Sequence, residues 1–227
     1  RKESSAASDV YKRQTINNSV LSSMRQAQAY SHGVSTAIQL ADRPGTLPSS
    51  ISLVNQTLDG GLKWGELSEW GSPWGCGGRE VLISFLSKLN KSHQSQANWC
   101  LWVQGQEGEA HVYPPAWEAK GVDLKYIRFT KSLKPVKDLN PIFMSSFFKV
   151  IVIDAPQDLS MEDCQFLSRQ ARRHKQSIIV VRNYFLSPKK GNVWAKLRVN
   201  CWHDYLREQY FLKVIKGLSP RQISFKI

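Results

Sequence analysis

Apolar positions between residues 58 and 227 follow two rhythms, and their alternation predicts a sheet packed by helices. "WCLWVQG" (99–105), "KVIVIDAP" (149–156) and "SIIVVRN" (177–183) are nearly continuous apolar runs, the mark of strands buried on both faces. "LDGGLKWGELSEW" (58–70) reads as a glycine turn followed by a short strand, and "LKYIRF" (124–129) as a further strand. Between them, "EVLISFLSKLN" (80–90) carries Val81, Leu82, Phe85, Leu86 and Leu89 at helical spacing, opening just after a run of glycines. "PPAWEAKG" starts with proline, as helix N-termini favour, and stops at Gly121. "MEDCQFLSRQARRHK" predicts a helix capped by Ser160, with Asp163 three residues on as a loose capping box. "NVWAKLRVNCWH" and "EQYFLKVIKG" predict an antiparallel pair, closed by "ISFKI". Alternating strands and helices imply βαβ units. The predicted class is α/β: a mainly parallel central sheet flanked by helices, with antiparallel C-terminal edge strands.

Before residue 51 the pattern dissolves. "RKESSAASDVYKRQ" (1–14) has no initiator Met, resembles translated adapter sequence and is set aside as a non-native segment. Residues 15–50 are expected to form an N-terminal helix and linker. The helix rests on spaced apolar residues (Val20, Leu21, Met24, Ala27), the linker on the Pro/Gly/Ser content of "DRPGTLPSS" (42–50). Residues 51–227 form the predicted core domain.

Composition narrows the class. With 227 residues, 41% hydrophobic and 22% charged, the chain matches a globular protein with a real core. No apolar run approaches the ~20 residues of a membrane span, and no secretory h-region is visible. Cys76, Cys100, Cys164 and Cys201 form no CxxC pair, which argues against a zinc site and for free thiols in a reducing cytoplasm. The histidines (His32, His93, His111, His174, His203) form no ligand pair. Charge is more informative. From Arg169 to Ile227 there are fourteen Lys/Arg against Asp204 and Glu208, a net of +12 out of +13 for the whole chain. Such a block is the footprint of a polyanion partner, most often nucleic acid; the alternative is a solvated face balanced by an acidic protein.

One stretch poses a chemical question. "EWGSPWGCGGREVLI" (69–83) places a glycine-rich turn between a strand and a helix, where backbone amides commonly cradle a phosphate. The order of parts resembles the core ATPase domain of the RecA recombinase family over about residues 50–227. "LDGGLKWGELSEWG" sits at the entry to the family's phosphate loop and "KVIVIDAP" at its Walker B strand, while "FLKVIKGLSPRQISFKI" is similar to its last core strands. The degenerate phosphate loop and shortened loops make the chain most similar to RecA-like accessory proteins of the ImuA type, which are SulA-like partners of mutagenic polymerases in the SOS response.

The resemblance implies an ATP and Mg²⁺ site at Gly71, Gly75, Gly77, Gly78 and Arg79. A working loop reads GxxxxGK[ST], with Lys on the β/γ-phosphates and Ser/Thr on Mg²⁺. Here five residues separate Gly71 from Gly77, Gly78 holds the Lys position, Arg79 the Ser/Thr position, and Glu80 follows. The loop reads as degenerate, and a glycine turn kept for packing is the alternative. By the same resemblance Asp154 is the Mg²⁺ ligand and, with Glu109 as the water-orienting carboxylate (Glu107 if the turn is shifted), the catalytic pair. A turn-capping Asp and solvated turn acids are the alternatives.

The family's second DNA loop corresponds to "RNYFLSPKKGN" (182–192). Arg182, Lys189 and Lys190 there are candidate phosphate contacts, and Tyr184 and Phe185 candidate stacking groups, unless the aromatics merely cover the core edge. Trp64, Trp70 and Trp74 suggest an aromatic cluster around the phosphate loop, either a protein-binding patch or core packing. Three functions follow as expectations. The first is a cytoplasmic accessory protein binding DNA, chiefly single-stranded, or a mutagenic polymerase or RecA itself, with self-association open. The second is an active DNA-dependent ATPase. The third is a plain interaction module.

Overall fold

The computed structural model describes residues 45–90, 97–105, 112–189 and 191–227, within one unit, Gly45–Ile227. The expectations for residues 1–44, for Glu107 and Glu109, and for Lys190 lie outside the described residues.

The strands are β1 (Thr46–Leu47), β2 (Leu62–Lys63), β3 (Leu67–Gly71), β4 (Trp99–Gln104), β5 (Ile127–Lys131), β6 (Phe148–Asp154), β7 (Ser177–Arg182), β8 (Leu197–Asp204), β9 (Gln209–Lys216) and β10 (Gln222–Phe225). The helices are α1 (Ser52–Thr57), α2 (Arg79–Leu86), α3 (Pro114–Ala119), α4 (Pro135–Asp138), α5 (Asn140–Phe143) and α6 (Met161–His174). Eight strands form one sheet in the order β10-β9-β8-β3-β7-β6-β4-β5. Pairing is parallel from β8 through β3, β7, β6 and β4 to β5, and antiparallel from β8 to β9 to β10. This is the α/β class expected, with its antiparallel edge.

The alternation of side chains across the strands divides the core in two. On one face Trp70, Trp102, Val152 and Ile179 pack against Val81, Leu82 and Phe85 of α2, Val54 of α1 and Trp117 of α3. On the other, Leu67, Ile151, Ile153 and Ile178 pack against Cys164, Leu167 and Ala171 of α6, Val136 of α4 and Phe143 of α5.

Local signals translate directly in α6. Ser160 Oγ accepts from the Asp163 amide at 3.0 Å, Asp163 Oδ2 accepts from the Ser160 amide at 3.0 Å, and Lys175 ends the helix at φ 52°. Ser160→Ala is expected to lower stability by about 1 kcal/mol, read as a shift in urea midpoint at constant slope.

Several boundaries differ from expectation. Residues 124–126 form a 3₁₀ turn and the strand begins at Ile127, because Asp123 caps the turn through the Lys125 amide. Residues 192–196 do not extend β8, which starts at Leu197. The supposed linker at 45–50 carries β1, whose antiparallel pairing with β2 brings it into the core unit. Free backbone groups of a Pro/Gly-rich stretch find partners in a segment the local pattern cannot foresee.

Among the described residues the link from β7 to β8 carries no helix. Parallel neighbours of β3 on either side, the two strands are joined by a strap whose described residues, 183–189 and 191–196, pass the C-terminal end of β3 at Gly71 and bury Ala195 on the α6 face. Asn200 pins this strap at one end, its Oδ1 accepting from the Leu186 amide (2.7 Å) and its Nδ2 donating to Leu186 O (3.0 Å). At the other end the Lys196 amide donates to Leu67 O at 2.9 Å. Gly71 lies directly beneath. A Cβ there would strike Asn200 Oδ1 and lie 2.8 Å from the Leu186 nitrogen, so only glycine admits the strap.

Candidate functional site

The C-terminal end of β3, where the sheet's connections diverge to either side, is the usual ligand crevice of an open α/β sheet. Gly71–Gly78 links β3 to α2 there, and Asp154 ends β6, two strands away with β7 between.

Arg79, the first residue of α2, spans that gap. Its Nε donates to both Asp154 oxygens (3.0 and 3.1 Å), and Nη2 lies 2.8 Å from Oδ1. Nη1 donates to the Ser72 carbonyl at 2.8 Å. The guanidinium carbon also lies over the Trp74 ring, 3.6 Å from its centroid, a cation–π contact that covers the pair on that side. Asp154 is only 3% exposed. Burial pushes its carboxyl above the ordinary value, and Arg79 pulls in the opposite direction without cancelling that effect.

Amides and carbonyls of the glycine loop bond within the protein. The Ser72 amide donates to Arg182 O (2.9 Å), the Trp74 amide to Asn183 Oδ1 (2.5 Å) and the Cys76 amide to Pro73 O (3.2 Å). From the β8–β9 hairpin, the His203 amide donates to Cys76 O at 2.6 Å and the Tyr205 hydroxyl to Gly75 O at 2.7 Å. Gly75 and Gly77 adopt φ of 76° and 68°. Gly78 caps α2 against β8 so closely that a Cβ would collide with the Cys201 carbonyl. Each of these glycines therefore has a packing or turn role independent of any ligand.

Glu80 turns away from Asp154. Its Oε2 accepts from Lys120 Nζ (2.8 Å) and from the Tyr210 hydroxyl (2.7 Å). Burial pushes this carboxyl up, but the Lys120 and Tyr210 contacts outweigh it and hold the group below its ordinary value. The three tryptophans do not cluster. Trp70 is buried edge-on to Phe85, Trp64 lines a cleft of about 410 Å³ with Gly65 and Arg172, and Trp74 covers Arg79.

On the strap, Tyr184, Phe185 and Lys189 are exposed, whereas Leu186, Asn192 and Ala195 are buried. Arg182 is turned inward: its Nε donates to Glu69 Oε1 at 2.9 Å, and Arg198 Nε donates to Glu69 Oε2 at 2.9 Å. This Arg–Glu–Arg group lies under the strap, and sequence carries no signal of it because Glu69 sits in a short mixed strand with its partners more than a hundred residues away. The Arg79–Asp154 contact has no local signal either, although the sequence marks the glycine loop and Asp154 separately.

Among the described residues no cluster of three or more His, Cys, Asp or Glu is arranged to hold a metal, and no helix is long and apolar enough to cross a membrane. No family model matches the chain, and no curated protein matches it in sequence.

Proposed function

We propose that this chain is a RecA-like accessory protein of the DNA-damage response that binds DNA, chiefly single-stranded, and does not hydrolyse nucleotide. The observation that carries the reading is the Arg79 guanidinium, which joins the Ser72 carbonyl to both oxygens of Asp154. In a phosphate loop that space belongs to the phosphates, the lysine and the metal.

The residues present do not fit a magnesium nucleotide. Asp154 is committed to an internal cation, and the amides of Ser72, Trp74 and Cys76 donate within the protein rather than into a cradle. Ser72 Oγ is buried beside Gly78 with no hydrogen-bond partner among the described residues, and belongs to the loop's start rather than to α2. An arginine–carboxylate pair thus supplies internally the charge balance that a nucleotide site leaves open.

What supports the RecA-like assignment is the arrangement of parts: a central strand leading through the glycine loop to α2, a carboxylate ending the strand two places away, and an antiparallel edge formed by the last three strands. What supports DNA as partner is the net +12 after residue 168, much of it on exposed side chains. A mutagenic polymerase, RecA or a second copy of the chain are the protein partners this reading implies. The placement of Asp154 favours a second reading, an active ATPase, and the same titration decides between them.

A fluorescent ATP analogue, titrated with and without Mg²⁺ and single-stranded DNA, is expected to show no saturable binding up to about millimolar concentration, where even weak sites register. Labelled DNA is expected to bind with an affinity that falls steeply with salt. Saturable Mg²⁺-dependent nucleotide binding would overturn the accessory reading. Absence of DNA binding at low salt would overturn its DNA part.

A further inference from the structure

We infer that the open face of the antiparallel edge strands is a stacking platform for single-stranded nucleic acid, built by Phe185, Trp202 and Phe211, with Lys213 in the adjacent row and Lys189 on the same strap as Phe185. This rests on the DNA-binding reading above and gives that reading a location.

The register places the groups. Trp202 on β8 pairs with Phe211 on β9, and Phe211 with Ser224 on β10; in the adjacent row Asn200 pairs with Lys213, and Lys213 with Gln222. All of these share the sheet face opposite Cys201, Leu212 and Val214, which lie in the core that packs on α2. Trp202 and Phe211 belong to neither core cluster and are half-buried. Their rings lie 5.3 Å apart at an interplanar angle of 10°, and Phe185 meets Trp202 edge-on at 5.7 Å. Three rings from three separate segments thus form one continuous surface.

The surface is held in advance. Asn200, in the row next to Trp202, bonds both the amide and the carbonyl of Leu186, which fixes the backbone adjacent to Phe185. Phe185 nevertheless remains 50% exposed, and the neighbouring Tyr184 56%. With Trp202 and Phe211 they make a contiguous exposed aromatic patch, the kind that marks a binding surface rather than scattered apolar side chains.

Charge selects the occupant. Lys213 extends from the same face and Lys189 from the strap, both exposed. Asp204, the nearest acid of the hairpin, is paired with Arg207 at 3.6 Å, so it does not oppose a polyanion by itself. Aromatic faces interleaved with cations suit unpaired bases on a phosphate backbone, because every base offers a π-face and every nucleotide a charge. A duplex keeps its bases stacked and cannot use the rings.

The test uses the full chain and two labelled probes of equal length, oligo-dT and an abasic sugar-phosphate strand, followed by anisotropy at one low salt concentration. The wild-type protein is expected to prefer oligo-dT to the abasic strand by about tenfold or more. Phe185→Ala and Trp202→Ala are each expected to weaken oligo-dT binding about tenfold while leaving abasic binding unchanged. Phe147→Ala, an exposed ring that stacks on Trp99 elsewhere in the molecule, is the control and is expected to bind both probes as wild type does. Equal wild-type affinity for the two probes would overturn the platform, whatever the variants' folding. So would tighter binding of duplex than of oligo-dT, with DNA binding itself still standing. Failure of wild type to bind any DNA would instead remove the reading on which the platform rests.

Discussion

Glu69→Ala is expected to cost about 3–5 kcal/mol of folding stability, the scale for breaking a buried ion pair by deleting one partner. Glu69 is 2% exposed and takes one arginine on each oxygen, Arg182 from β7 and Arg198 from β8, both at 2.9 Å. Deleting the carboxylate leaves two guanidinium groups side by side in a region closed over by the strap. Arg198 is the more enclosed of the two, its side chain 5% exposed against 11% for Arg182. Gly191 stacks so tightly on Arg198 that a Cβ there would collide with the guanidinium, and Arg198 Nη1 also donates to Ser187 O at 3.3 Å. The loss is large against a typical total of about 5–15 kcal/mol. Urea unfolding followed by circular dichroism should show the midpoint falling sharply. Glu69→Gln, which keeps the shape but not the charge, should lie between the two. A cost under about 1 kcal/mol for the alanine variant would mean that the strap opens easily and the arginines are solvated there.

Arg79→Ala is expected to destabilise the protein by about 3 kcal/mol near neutral pH, and by much less near pH 4. The dependence follows from Asp154. Its carboxyl already titrates above the ordinary value because of burial, with Arg79 opposing the shift. Removing the guanidinium raises it further. An acid whose folded-state value lies above its unfolded one withholds stability as pH rises through the folded value, and its penalty vanishes once it is protonated in both states. The deficit of the variant relative to wild type should therefore be greatest at neutral pH and shrink on acidification. Asp154→Asn in the Arg79→Ala background should recover most of the loss at neutral pH, because the unpaired charge is gone. A deficit that does not change with pH would mean that Arg79 acts through its packing on Trp74 and not through Asp154.

The two predictions share a feature with the places where sequence reading failed. Glu69 stands in "GELSEWG", a short strand in which Glu66 and Ser68 are polar as well, so nothing local marks it as buried; its burial comes with Arg182 and Arg198 and the strap that starts at residue 183. Arg79 looked like a misplaced phosphate ligand, and its true neighbour is 75 residues distant. The sequence places Arg182 with the strap's cations because adjacency along the chain is the only proximity a sequence offers, whereas its guanidinium turns inward to Glu69. Trp64 and Trp74, ten positions apart, lie at different sites because β3 runs the depth of the sheet between them.

What the chain determined by itself was whatever depends on neighbours within a turn or a strand. The buried runs of β4, β6 and β7 announce themselves because both faces must be apolar. The α6 cap closes on residues three apart, and the order of strands and helices limits the sheet to a mainly parallel one. The tertiary structure alone decided which charges face each other, which rings come into contact, and that Arg79 turns to Asp154. Those outcomes depend on groups distant in sequence meeting at low dielectric, where a few tenths of an ångström and a single partner change the sign of the energy. Local pattern carries no record of that distance.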